Sequence, residues 1–153
     1  MNIATTPQLA TTDLPPILEQ FISLYQVLDK RNIQRLKEIY SPEITFIDPA
    51  HRLHGLANVE TYFANLYENA QSVSFDIASV EHGENKAWVR WTMIFQHPRL
   101  NANKPVHVHG CTYLTYDKFI TQHQDYFDLG AMIYENIPLL GKVIRWLKNR
   151  LNQ

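Results

Sequence analysis

Several features that would assign a protein quickly are scarce in this sequence. It has a single cysteine, Cys111, in 153 residues, which excludes an intramolecular disulfide and a cysteine-based zinc site. No run of about 18 or more apolar residues occurs, so no membrane-spanning helix is expected. Charge of one sign is also missing. Lys and Arg number 14 against 15 Asp and Glu, a formal net charge of −1, so no nucleic-acid partner is expected. The opening MNIATTPQLATTD has neither the basic nor the apolar region of a secretory signal, which makes the cytoplasm the default location. There is no internal repeat and no low-complexity segment.

What remains is an ordinary globular composition, 45% hydrophobic and 19% charged, long enough for one domain with its own core. Residues 1–12, polar and rich in Thr and Ala, read as a flexible tail. Residues 13–130 form the domain and residues 131–153 a C-terminal helical extension. Pro15 and Pro16 open a first helix with Ile17, Phe21, Leu24 and Leu28 at helical spacing. A second runs from Asn32, as N-cap, to Tyr40, where Ser41-Pro42 stops it. The strand ITFID follows, and a third helix spans Leu56 to Asn69 with Val59, Tyr62, Phe63 and Leu66 on one side. The period then changes to two over SVSFDIASVEH, AWVRWTMIFQH, PVHVHGCTYLTY and FITQHQDYFD, four strands joined by turn chemistry. Helices followed by an antiparallel meander give α+β order.

In the extension, Leu140, Val143, Ile144, Leu147 and Leu151 fall on one helical face, with Lys142, Arg145, Lys148 and Arg150 elsewhere. Such a basic amphipathic helix can lie on a membrane. The commoner arrangement, an apolar face docked on its own domain or a second subunit, is expected here, rather than membrane contact through residues 139–151.

The stretch FIDPAHRLHG (Phe46–Gly55) delivers a carboxylate, Asp48, to the end of a strand before Pro49 and two histidines, His51 and His54. Asp48 is either an Asx-turn residue or a base held at a pocket rim.

The order of elements, the F-x-D-P of Phe46–Pro49 and the D-Y-F-D of Asp125–Asp128 together resemble the nuclear transport factor 2-like superfamily, in its SnoaL-like branch. The likeness covers about residues 17–130. It implies a cone-shaped α+β roll: three N-terminal helices against a curved, mainly antiparallel sheet enclosing an apolar pocket, here followed by the C-terminal amphipathic helix. Relatives include ketosteroid isomerase, limonene epoxide hydrolase, polyketide cyclases and many binding proteins. Asp48 stands in the place of the isomerase's proton-shuttling aspartate. At the isomerase's oxyanion positions this chain has Leu24, with Tyr25 one residue off and pointing elsewhere, and Cys111 or Thr112. Compared with the epoxide hydrolase, Asp125 matches the first acid and Arg90 the arginine. Thr92 takes the place of the second aspartate, and Phe46 and Asp48 replace the water-orienting tyrosine and asparagine.

Strand alternation adds a physical expectation. Residues two apart share a face, so Arg90 facing the pocket brings Trp88 and Thr92, and Asp125 brings His123 and Phe127. The matching register of the fourth strand turns His107, His109 and Cys111 inward; in the opposite register Val106 and Val108 are inward and both histidines wet. The expected catalytic set is Asp48 as base with Asp125, Arg90 and His107. Trp88, Phe46, Tyr62, Phe63, His109, His123 and Phe127 form the binding set. Arg90 with Asp125 also fits a plain buried ion pair. His107-x-His109 alone is too little for a metal site, and no metal or cofactor is expected. Val89, Trp91, Met93 and Phe95, on the face opposite Arg90, would be too apolar to leave wet, which predicts a homodimer. The function expected is cofactor-independent acid/base catalysis of the isomerase, cyclase or hydrolase kind on an apolar small molecule. The alternative is a non-catalytic carrier of such a ligand.

Overall fold

The structure is a computed structural model, which describes residues 13–151; the tail expected at 1–12 lies outside the described residues. Helix α1 (Pro16–Val27) starts on the proline pair and buries Ile17, Leu18, Phe21, Leu24 and Tyr25. The second expected helix is a six-residue 3-10 helix, Ile33–Glu38. Asn32 does not cap it. Its side chain instead accepts from the amide of Asp29 at 2.8 Å and donates to the carbonyl of Val27 at 2.8 Å, which fixes the turn after α1. Two α-helices and a 3-10 helix thus replace the three expected N-terminal helices, and two strands precede the last of them.

Those strands are β1 (Tyr40–Ile47) and the short β2 (Arg52–His54), followed by α2 (Leu56–Asn69). Strands β3 (Ser72–His82), β4 (Lys86–Gln96), β5 (Val106–Tyr116) and β6 (Ile120–Phe127) form the meander. The six strands make one sheet in the order β2-β1-β6-β5-β4-β3. Only β1 and β6 run parallel, and their register shifts between Tyr40 and Thr45. Pro42 falls in that gap, where its missing N–H breaks no ladder bond. The pairing sets β1 and β6 side by side, with Phe46 opposite His123. This brings the acid at the end of β1 near those of β6.

The inner face of β4 is the reverse of the expected one. Val89, Trp91, Met93 and Phe95 are buried, and Trp88 and Arg90 are exposed. Burying four large apolar side chains outweighs placing one guanidinium in an apolar interior, which costs several kcal/mol or more. Strand β5 follows in register, with Arg90 opposite Cys111 and Thr92 opposite His109. Val106, Val108, Thr112 and Leu114 are therefore buried, while His107 and His109 are exposed. A Cβ at Gly110 would collide with the indole of Trp91, so this glycine makes the space in which that ring lies. The apolar stripe that predicted a homodimer is core, and that argument for pairing does not hold.

After β6 come the single-turn α3 (Leu129–Met132), a 3-10 turn Tyr134–Asn136 and α4 (Leu140–Arg150). Helix α4 was expected to dock by its apolar face. Among the described residues it meets the domain by its polar face, and Leu140, Val143, Trp146, Leu147 and Leu151 stay exposed. No helix among the described residues is long and apolar enough to cross a membrane.

Candidate functional site

Phe46, next to last in β1, faces α2, and Asp48 follows Ile47 at the turn into β2, only 8% exposed. Its Oδ1 accepts from the backbone amides of Ala50 at 2.8 Å and His51 at 2.7 Å, which is an Asx turn. Oδ2 accepts from the hydroxyl of Tyr62 on α2 at 2.6 Å. The His51 imidazole, half-exposed, lies 3.0 Å from Oδ1 through Nδ1. Asp48 thus forms the Asx turn, and its carboxylate also borders a cavity. Burial, and then the bond to Asp48, raise the Tyr62 pKa, so its hydroxyl stays a neutral donor.

A second polar group lies on β6. Oδ1 of Asp125 accepts from the Thr112 hydroxyl at 2.5 Å and meets His123 Nε2 at 2.8 Å. Thr112 in turn receives the indole N–H of Trp91 at 2.7 Å. On the other side of the ring, His123 Nδ1 is 2.7 Å from the Tyr40 hydroxyl, which is 2.6 Å from that of Tyr25. Thr112 and His123 are each 1% exposed, so this is a buried chain of polar groups in which both ring nitrogens of His123 and the hydroxyls of Thr112, Tyr40 and Tyr25 have partners.

Its proton directions follow from chemistry. A carboxylate only accepts, so His123 Nε2 carries the proton toward Asp125. A neutral imidazole then accepts at Nδ1 from Tyr40, which leaves the Tyr40 oxygen to accept from Tyr25. Burial raises the pKa of both tyrosines well above that of an exposed phenol, keeping both hydroxyls protonated. Oδ2 of Asp125 has no hydrogen-bond partner among the described residues.

The two carboxylates meet at a narrow recess of about 40 Å³, lined also by Tyr25, Phe46, Tyr62, Phe63, Trp91 and Phe127. That volume holds roughly one water or a small substituent. An outer cavity of about 460 Å³ shares Asp48, Tyr62, Leu66, Phe127 and Met132 with the recess, and is rimmed by His51, His97, Leu129 and Tyr134. Two further grooves, about 660 Å³ beside Pro15 and Tyr116 and about 470 Å³ beside Asp29 and Tyr67, are also each lined by two acids, but Glu84, Asp117 and Glu68 are exposed and Asp29 is paired with Arg31.

Of the expected site residues, Asp48, Asp125, Phe46, Tyr62, Phe63, His123 and Phe127 come together here. Arg90, His107, His109 and Trp88 do not, because they project from the outer sheet face. Arg90 makes no ion pair among the described residues, so the expected pair with Asp125 is not formed. His109 bonds Thr92 at 3.0 Å on that outer face. Sequence reasoning missed Tyr25, Tyr40, Trp91 and Thr112. Tyr25 shares helical spacing with Phe21 and Leu28, and Trp91 alternates with Val89 and Met93, so both carried a signal.

A six-stranded, mainly antiparallel sheet covered by helices, with paired acids in an apolar recess, defines an α+β fold of the nuclear transport factor 2-like kind. Within it, the chain belongs to the SnoaL-like domain family, which matches residues 21–123. No curated protein matches it in sequence. It is similar in structure to a Catenulispora acidiphila protein of ketosteroid isomerase-like fold, solved in complex with trimethylamine. That match has a TM-score of 0.71 at 17% identity over 82% of this chain and 96% of that one. A candidate SnoaL-like polyketide cyclase from Jannaschia gives 0.68 at 16% identity, covering 84% and 98%. A limonene epoxide hydrolase-like enzyme of M. tuberculosis gives 0.61 at 16%, covering 76% and 83%. At these identities the likeness is one of fold.

Proposed function

We propose that the protein is a cofactor-independent acid/base catalyst acting on a compact, apolar carbonyl compound held in the outer cavity with its reacting end in the recess. The observation that carries this is the free Oδ2 of Asp125, set in an apolar recess while Oδ1 is fixed by Thr112 and His123. A base must present a lone pair to the substrate, and positioning by neighbours holds it in place.

Asp48, the base expected from sequence, is less suited to that role. Its oxygens already accept from two amides, a phenol and an imidazole, which fills the roughly four acceptor sites of a carboxylate. Asp125 then takes a proton from the carbon next to the carbonyl and returns it at another position. Asp48 orients Tyr62 and His51 at the rim of the recess, where the substrate's carbonyl end is held.

The carrier reading has one observation in its favour: Arg90 and His107 lie outside the pocket, so the catalytic set expected from the sequence is not assembled there. Incubating the protein with a panel of cyclic enones in deuterium oxide separates the two. Catalysis gives deuterium incorporation that Asp125→Asn abolishes while ligand binding persists. Binding without exchange in either protein leaves the carrier, and no binding by any member removes both readings.

We also place a homodimer contact on the outer sheet face, where Trp88 lies 5.0 Å from Tyr113 and 5.8 Å from Tyr126 between ring centroids. A monomeric mass by light scattering at micromolar concentration removes it. The setting proposed is the cytoplasm.

A further inference from the structure

Helix α4 is attached to the domain with its faces exchanged. On an ordinary surface helix the apolar stripe packs inward and the charges face water. Here Gly141 is buried against the carbonyl of Glu135, and a Cβ at that position would collide with it. Arg145 donates to the same carbonyl at 3.0 Å. Lys148 pairs with Asp128 at 3.3 Å and with Glu135. Gly141, Arg145 and Lys148 fall on one side at helical spacing. The opposite side carries Leu139, Leu140, Val143, Trp146, Leu147 and Leu151, which include Trp146 at 55% and Leu151 at 86% exposed. Nothing among the described residues covers that stripe, and it is too contiguous for ordinary surface.

Charge chooses among its possible occupants. From Asn136 to Gln153 there are four cations, Lys142, Arg145, Lys148 and Arg150, and no carboxylate. The rest of the chain therefore holds 14 − 4 = 10 cations against 15 acids, a balance of −5. The nearest acids, Asp128 and Glu135, are on the domain side and engaged by Lys148. Lys142 borders the apolar stripe, and Arg150 lies on the same side of the helix as the stripe, 4.8 Å over the Trp146 ring. Two copies pairing α4 on α4 would bring like charges together, whereas an anionic lipid surface complements them.

We propose that α4 is an interfacial anchor: it lies in the plane of an anionic membrane, its leucine, valine and tryptophan stripe among the acyl chains, with Lys142 and Arg150, the two cations the domain does not engage, at the headgroups. A tryptophan on the apolar side and lysine or arginine elsewhere is the pattern of a helix that lies on a bilayer and does not span it. The docking by Gly141, Arg145 and Lys148 holds the stripe outward before any membrane is met. Leu129 to Tyr134, which rim the outer cavity, lead directly into this helix. A seated α4 thus sets the cavity mouth beside lipid, where apolar ligands concentrate; that consequence, unlike the anchoring, rests on the pocket reading above.

The test is co-sedimentation of the full chain with vesicles of phosphatidylcholine alone, or with about a third phosphatidylglycerol. Partition onto the anionic vesicles is expected to exceed that onto the neutral ones by roughly thirtyfold, the effect of the two basic residues Lys142 and Arg150 near a charged surface. It should weaken as salt is raised. Val143→Glu with Leu147→Glu is expected to abolish binding without changing the melting temperature, since both side chains are exposed. Should that variant fail to fold, quenching of the wild-type emission by brominated anionic lipid, lost in Trp146→Phe, reports on the same face. Wild-type protein left in the supernatant with both vesicles overturns the proposal. So does vesicle binding that survives the double substitution in a folded chain. A dimer that this variant dissolves, without vesicle binding, overturns it in favour of a second copy.

Discussion

Nε2 of His123 lies 2.8 Å from Oδ1 of Asp125, two positions along the same strand face, while its other ring nitrogen is held by Tyr40 at 2.7 Å. The imidazole is therefore a fixed link between a carboxylate that borders the cavity and two buried phenols. Satisfied on both sides, it anchors Asp125 and fixes its own tautomer.

Removing the Tyr40 hydroxyl breaks this chain in its middle. Tyr40→Phe leaves His123 Nδ1 and the Tyr25 hydroxyl without partners in the interior, a loss of about 2–3 kcal/mol. Tyr25→Phe removes only the terminal donor and should cost about 1 kcal/mol. Urea denaturation of the two variants checks the order; equal losses would mean that the groups do not act as one chain.

Arg90 and His107 make the opposite case. Each is exposed on the outer sheet face, so alanine at either position should change stability by less than about 0.5 kcal/mol. Neither substitution should alter ligand binding in a titration. A large loss of binding on Arg90→Ala would restore the pocket-facing register.

These two residues also mark where the sequence stopped being legible. The meander and the apolar faces of α1 and α2 were readable, because periodicity and turn residues report them locally, whereas the approach of Asp48 to Asp125 was legible only through the likeness to related folds. The face of β4 was not settled by alternation, which says only that Arg90 and Trp91 point opposite ways. The apolar content of Val89, Trp91, Met93 and Phe95 favours their burial, whereas the likeness of Arg90 to a related enzyme's arginine points the other way. The error passed through the β4–β5 register to His107 and His109. Tyr40 and Thr112 were hidden for another reason: their partners lie 83 and 13 residues away in sequence, distances at which only the folded chain reports a contact.

The buried phenols set an alkaline limit. Tyr25, Tyr40, Tyr62 and Tyr67 all have raised pKa values, burial being the largest cause for each. In the unfolded chain they ionise near pH 10, while in the folded chain they keep their protons. The folded state then binds more protons than the unfolded one, so stability falls as pH rises. Their contribution is complete below about pH 10 and is lost above it, by about 1.4 kcal/mol per pH unit for each such tyrosine. Tyrosinate absorbance should show these residues ionising together with unfolding. A smooth titration of all eight tyrosines near pH 10 in a still-folded chain would contradict the buried chain.

Asp48 closes the turn between β1 and β2 and ties it to α2, which separates its structural part from that of Asp125. Asp48→Ala removes the acceptor for the amides of Ala50 and His51 and for the Tyr62 hydroxyl, and should cost about 2–3 kcal/mol. Asp48→Asn keeps one oxygen for the two amides and turns its NH₂ toward Tyr62, whose hydroxyl can accept instead. The cost then falls to about 1 kcal/mol, and a double-mutant cycle with Tyr62→Phe should show coupling. In the proposed reaction, Asp48→Asn lowers turnover less than Asp125→Asn, because it disturbs orientation and leaves the base in place. If instead Asp48→Asn abolished proton exchange while Asp125→Asn retained it, the base would be the aspartate at the end of β1 after all, and its hydrogen bonds would have to open when substrate binds.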